Sequence, residues 1–234
     1  MLHKQIESIL PLVQKPARYT GGELNSVVKN KENIDIRFAF CFPDTYEIGM
    51  SHLGLKILYG LINSRENFWC ERVFAPDCDM EEIMRKNNIP LFGLESHDSL
   101  KDFDAVGFTL QYELSFSNVL NMLDLAGIPV RSKNRGDSLS ENPIIVAGGP
   151  CVANPEPLAD FIDGGIAHSS LGDYREQFTK ALILQGVKSI FMDSMYRRSK
   201  NYGFRTEDMQ FKAILQAITI TAPEVQAAHN WKEF

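Results

Sequence analysis

Three loops hold the side chains whose types and spacing could bind a small polar or anionic molecule. The first runs Phe42-Pro-Asp-Thr-Tyr-Glu-Ile-Gly-Met-Ser-His-Leu-Gly54. Gly49 and Gly54 allow close backbone approach there, and amides near Ser51 at a helix start favour an anionic group. Asp44 and Ser51 read equally as ligand contacts or as helix caps satisfying main-chain donors. His52 could be a ligand, a general acid or simply a residue at a helix N-terminus, whereas His97, set between capping residues in Glu95-Ser-His-Asp98, reads as structural. The second loop, Gln111-Tyr-Glu-Leu-Ser115, offers Gln111, Tyr112 and Glu113, the last also favourable in a first helical turn without any function. The third begins Gly148-Gly149-Pro150-Cys151, where two glycines let a flat ligand reach the main chain, although tight turns use the same residues.

The elements that must position these loops alternate between two periods. Ile34–Phe42, Trp69–Phe74, Asp104–Leu110 and Ile144–Ala147 are rich in β-branched and aromatic residues and read as buried strands. Between them, Ser51 is the expected cap of a helix to about Asn63 with Leu53, Ile57, Leu58 and Leu61 inward, and Asp79 that of a helix with Met80, Ile83 and Met84 inward. Phe116, Val119, Leu120 and Leu123 fall at helical spacing before Gly127 and Pro129. Residues 2–13 predict a short helix bearing Ile6, Ile9, Leu10 and Val13, and Ser132–Asn142 a surface loop. A fifth strand over Gly164–Ser169, a helix over Gly172–Leu184 and a helix after Thr206 complete the pattern. Strands alternating with helices imply βαβ units and a mainly parallel sheet of five strands, whose carboxyl ends carry all three loops.

Composition bounds the function. The chain has 234 residues with 24 Lys and Arg against 30 Asp and Glu, a net charge of −6 that argues against general nucleic-acid binding. No apolar run approaches the roughly 20 residues of a membrane helix, and the start lacks a secretory pattern, so a cytoplasmic protein is expected. Cys41, Cys70, Cys78 and Cys151 are scattered and read as free thiols. No Cys-x3-Cys-x2-Cys is present, no zinc spacing, and no Ser/His/Asp, HExxH or Walker pattern, so neither an iron–sulfur cluster nor a hydrolase is expected.

Taken in order, Val13–Glu23, Phe42–Leu55, Glu71–Pro76, Leu94–His97, Gly107–Leu114 and Ala147–Pro157 resemble the N-terminal region of bacterial B12-binding-domain radical S-adenosylmethionine (radical SAM) proteins. The resemblance covers roughly residues 13–163. It implies a flavodoxin-like or Rossmann-like three-layer domain that binds cobalamin ahead of a radical SAM barrel. In that reading residues 1–33 are a lead-in, 34–185 the B12-binding-like domain and 186–234 a divergent helical tail, with the barrel absent. The corrinoid would lie over Asp44–Gly54, Gln111–Glu113 and Gly148–Pro150, hydrogen-bonded by Asp44, Ser51 and Tyr112. Two departures matter. Tyr46 stands where Asp-x-His-x-x-Gly motifs place the lower cobalt ligand, and residues after Asp163 lack the family's acidic turn and cluster cysteines. The implied partner is a radical SAM domain in cis or trans, since this chain alone makes no radical. The alternatives are a cofactor-free interaction module or a fragment of a full radical SAM enzyme.

Overall fold

The computed structural model describes residues 2–135, 141–153 and 156–165. The chain opens with α1 (Leu2–Ile9), whose Ile6 and Ile9 are buried, and continues through short 3-10 turns at Leu10–Leu12, Pro16–Tyr19 and Lys31–Asn33. It then alternates through β1 (Ile36–Phe42), α2 (Tyr46–Ser51), α3 (Leu53–Asn63), β2 (Phe68–Phe74), α4 (Cys78–Asn87), β3 (Ala105–Thr109), α5 (Phe116–Leu125) and β4 (Ile144–Gly148). A two-residue β5, Gly164–Gly165, closes the described part.

The sheet order is β2-β1-β3-β4-β5 with every pairing parallel. Phe38 of β1 is in register with Cys70 on one side and Ala105 on the other. β1 runs from there to β2 in one direction, while β2 to β3 and β3 to β4 progress the other way. Right-handed crossovers therefore place α4 and α5 together on one face and α3 on the opposite face. Side chains bear this out: Arg85 of α4 reaches Asp124 at 2.8 Å and Asn121 at 2.6 Å on α5, and Asn121 donates back to Glu81 at 2.8 Å. With both faces covered, β1 and β3 are almost wholly buried and read as continuous apolar runs.

β2 is an edge strand, and its outward-facing main chain is satisfied by side chains and a loop amide rather than by another strand. The Phe68 carbonyl accepts from Lys29 Nζ at 2.6 Å. Asn63 mimics a strand against Cys70, donating to its carbonyl at 2.9 Å and accepting from its amide at 3.0 Å. The Arg72 amide donates to Glu95 at 2.8 Å, and its carbonyl accepts from the Leu94 amide at 2.9 Å. Glu71 and Arg72, side by side in this strand, are buried and point to opposite faces. Glu71 pairs with Arg37 at 2.6 Å, and Arg72 with Glu95 at 2.6 Å and Glu23 at 2.7 Å. The N-terminal lead thus lies along this edge, with the Trp69 indole donating to the Val27 carbonyl at 2.9 Å.

Several expectations are corrected. Four strands are full-length, not five: the fifth is the Gly164–Gly165 pairing, and the rest of Gly164–Ser169 lies outside the described residues, as do the helices expected at 172–184 and after Thr206. The helix expected from Ser51 to about Asn63 is α3, starting at Leu53; a separate short helix, α2, ends at Ser51, and His52 rather than Ser51 caps α3. Its inward residues are Leu55, Tyr59 and Ile62, whereas Leu53, Ile57 and Leu61 face outward, because apolar residues surround this helix and the β1–β2 surface selects the other stripe. Asp77, not Asp79, caps α4, accepting from the Cys78 amide at 2.9 Å. Arg135, placed in a surface loop, is buried and grips Asp163 at 2.7 Å together with the carbonyls of Pro129, Val130 and Phe161.

Candidate functional site

In a doubly wound sheet the ligand crevice opens outside the carboxyl ends of the strands, where the order reverses, here between β1 and β3. The loops after β1, β3 and β4 meet there. Asp44 follows β1, and its carboxylate accepts from the Thr45 amide at 2.7 Å and from the Tyr112 hydroxyl. That second bond crosses the mouth between β1 and β3. The Asp44 hydrogen bond, aided by slight burial, raises the Tyr112 hydroxyl above its ordinary pKa, so Tyr112 stays a donor. Asn118, one turn into α5, ties the same two loops by donating to the Pro43 carbonyl at 2.9 Å.

The second and third loops are joined through their main chains. The Leu110 amide donates to the Gly148 carbonyl at 2.6 Å, and the Cys151 amide to the Leu110 carbonyl at 3.2 Å. Gly149 makes this possible: its φ is +108°, and a Cβ there would stand 2.4 Å from the Leu110 carbonyl oxygen. Gln111 turns back to donate to Thr109 Oγ1 at 2.7 Å. Glu113 is exposed in a 3-10 turn, and after burial its charge is the second influence pushing the Cys151 thiol up. Pro150 is exposed and opens the turn Pro150–Ala153. Asp44, Gln111, Tyr112, Glu113, Gly148, Gly149 and Pro150 therefore lie together on the joined loops at the carboxyl end of the sheet.

The remaining candidates lie elsewhere. Tyr46 turns toward β2, where its hydroxyl donates to Glu23 at 3.0 Å and its ring meets Phe74 edge-on at 5.4 Å. Burial and the Glu23 bond push that hydroxyl up to about 12. Gly49 packs beneath the Phe74 ring, which a Cβ would strike at 2.3 Å. Ser51 donates to the Ile48 carbonyl at 2.7 Å inside α2. His52 Nδ1 accepts from the Leu55 amide at 3.1 Å, fixing the hydrogen of a neutral ring on Nε2, and its ring lies against Phe42 with centroids 5.2 Å apart. Gly54 leaves room for that imidazole, 2.8 Å from where a Cβ would be. Asn118, Thr109 and Cys151 belong to the crevice but were not singled out from sequence. Asn118 falls on the helical period of α5 and carries no local motif that would mark it.

This donor set does not fit a corrinoid held through a protein ligand to cobalt. The Tyr46 hydroxyl keeps its proton and donates a hydrogen bond to Glu23, and His52 uses its Nδ1 lone pair to cap a helix. Among the described residues no group of three or more His, Cys, Asp or Glu side chains gathers as a metal would require, and no helix is long and apolar enough to cross a membrane.

The fold is a doubly wound α/β domain in which the loops after β1, β3 and β4 meet at the carboxyl end of the sheet. A family model described as "Radical SAM proteins, N-terminal" matches residues 54–198, more than half of the chain. The chain belongs to this family of N-terminal domains of radical SAM proteins. It is also 29% identical over 126 residues to an uncharacterized protein of Methanocaldococcus jannaschii, a match covering 53% of this chain and 22% of that relative's length. No solved structure matches.

Proposed function

We propose that this chain is the N-terminal platform on which a radical SAM domain works, within a longer protein or as a separate chain. The observation that carries this reading is the outward face of α3. Leu53, Ile57 and Leu61 lie one turn apart along it and are 67%, 58% and 38% exposed, while the opposite face is packed on the sheet. Ile48 and Leu114, on the segments following β1 and β3, are 49% and 84% exposed. Scattered exposed apolar residues need no explanation, but a helical stripe of them marks a contact surface. Radical SAM chemistry needs a cluster held by three cysteines, and this chain has no such motif, so that chemistry belongs to the partner domain. The free cysteines Cys41, Cys70, Cys78 and Cys151 agree with a reducing, cytoplasmic setting.

The test is association with the radical SAM domain encoded with it, supplied as a separate chain. Leu53→Asp together with Ile57→Asp is expected to weaken binding at least about tenfold, the 1.4 kcal/mol equivalent of losing part of an apolar contact. The melting temperature of the chain itself should stay unchanged. Unaltered binding would remove this reading.

A second reading is that the crevice carries a corrinoid without a protein ligand to cobalt, in which Asp44 and Tyr112 turn their hydrogen bonds outward and Gly148–Pro150 offers main chain. The position of the Asp44–Tyr112 pair across the switch point favours it. Hydroxocobalamin added to the chain and followed by visible absorption after desalting tests it. Stoichiometric retention, lost in Tyr112→Phe and Asp44→Asn, supports the carrier. No retention leaves the platform without a corrinoid.

A further inference from the structure

α3 reads Leu53-Gly-Leu-Lys-Ile-Leu-Tyr-Gly-Leu-Ile-Asn63, with apolar residues on every side and Lys56 as its one charged residue. Its Leu55, Tyr59 and Ile62 are buried against β1 and β2. A helix at a protein surface carries polar and charged residues on its outer face, whereas one that is apolar all round is covered on both sides. The outer face here shows Leu53, Ile57 and Leu61, and with them Gly60, which is exposed. Gly60 follows Ile57 by three residues and Leu53 by seven, so the four share that face. Nothing within the domain asks for a glycine at this place. Its φ is not positive, a Cβ would meet no atom within 4 Å, and glycine weakens a helix interior relative to alanine. Gly49 and Gly54 differ in this respect, since the first makes room for the Phe74 ring and the second for His52.

We infer that Gly60 is the point at which a helix of the radical SAM domain crosses α3, its backbone drawn close over the missing side chain and its own side chains seated among Leu53, Ile57 and Leu61. The inference rests on the platform reading and adds to it the partner element and the contact point. Residues four apart along a helix form the ridge that most often interdigitates with another helix, with axes about 8–10 Å apart, and a glycine at the crossing gives the near end of that range. Size decides between this occupant and a second copy of the chain. At on the order of 100 Å² of apolar surface per fully exposed side chain, Leu53, Ile57 and Leu61 together with Ile48 and Leu114 offer about 300 Å². Two such faces packed on each other would bury about 600 Å², short of the roughly 1,000 Å² that a stable free dimer needs. That area is instead the small end of the range for neighbouring domains, about 600–1,500 Å².

The experiment is calorimetric titration of the full chain with the radical SAM domain encoded with it, for the parent, Gly60→Ala, Gly60→Leu and Leu53→Asp together with Ile57→Asp. The urea midpoint and the molar mass in solution of each free chain are recorded beside it. Gly60→Ala should raise the urea midpoint of the free chain and yet weaken association about fivefold, because its methyl group intrudes on a close contact. Gly60→Leu should weaken association about a hundredfold, with a midpoint no lower than the parent's. A glycine with no partner would give the first effect without the second. Parent-strength association by Gly60→Leu, alongside its loss in the Leu53→Asp, Ile57→Asp chain, would overturn this inference and leave the platform standing. Association that neither change weakens, or none by the parent, removes the platform reading and this inference together. A parent chain that is dimeric, and that Gly60→Leu turns monomeric, gives the face to a second copy and overturns the inference as well.

Discussion

Gly149→Ala separates two roles that the Gly148-Gly149-Pro150 turn could play. In the structure the missing side chain at 149 is needed by the protein itself: an alanine Cβ would lie 2.4 Å, 2.7 Å and 3.0 Å from the carbonyl oxygen, amide nitrogen and carbonyl carbon of Leu110. All three are main-chain atoms, so no rotamer change relieves the contact. Holding a non-glycine residue at a φ of +108° costs about 1–3 kcal/mol. Displacing the loop also strains the Leu110–Gly148 and Cys151–Leu110 hydrogen bonds, each worth about 1 kcal/mol net. Reduced freedom of the unfolded chain returns up to about 1 kcal/mol. The net expectation is a loss of about 3 kcal/mol in the free protein. With a urea dependence of about 2 kcal/mol per molar, the unfolding midpoint followed by circular dichroism falls by about 1.5 M at unchanged slope. A loss below about 1 kcal/mol would show that the turn is not pinned by Leu110 and that the glycine is kept for a ligand.

Gly60 lies exposed within α3 with nothing within 4 Å of its would-be Cβ, so Gly60→Ala should stabilise by about 0.5–1 kcal/mol in the same urea assay. Asn63→Ala removes both bonds to Cys70 on the strand edge and should cost about 2–3 kcal/mol in that assay. Glu23 is held below the usual carboxylate range: burial opposes its charge, but hydrogen bonds from Ser26 and the Arg72 guanidinium outweigh it. Asp98 is likewise lowered against burial by Lys31 and Arg37. Both contribute stability that is complete above their unfolded pKa values and lost as pH falls through the lower folded values. Glu23→Gln or Asp98→Asn should therefore lose stability at pH 6 and narrow the difference between pH 6 and pH 3 urea midpoints. Of the cysteines, Cys78 is exposed while Cys41 and Cys70 are pushed well up by burial, so a thiol reagent should label Cys78 rapidly and Cys41 and Cys70 only on unfolding.

The strands were legible because each is a short apolar run bounded by turn residues, and the loops were legible because each run ends in a distinct polar or glycine cluster. The register of α3 was not. Leu53, Leu55, Ile57, Leu58, Leu61 and Ile62 encircle the helix, so periodicity alone offers two stripes, and only packing on β1 and β2 chooses between them. The same ambiguity hid the exposed stripe on which the platform reading rests. His52 was missed as the cap because serine is the commoner choice and no local signal shows the chain breaking there. Within the site, the junctions between loops were invisible: Tyr112 meets Asp44 across 68 residues, and no spacing rule reaches so far. Glu71 and Arg72, adjacent charges inside a strand otherwise apolar, were the readable hint that an edge would be sealed by ion pairs.

The seal on that edge has a consequence for how the chain is made. Residues 1–33 are translated before the strands and helices on which they dock. Val27 must wait for Tyr59 and Trp69, Lys29 for Asn63 and Phe68, and His3 for His97. β1, paired on both sides, is likewise translated ahead of both its neighbours. During synthesis, therefore, the apolar lead carrying Ile6, Ile9 and Val13 precedes the segments it docks on and is among the last parts of this domain to find its seat. A shortened gene starting at residue 54, where the family match begins, would lack both that lead and β1, and its product could not rebuild this sheet.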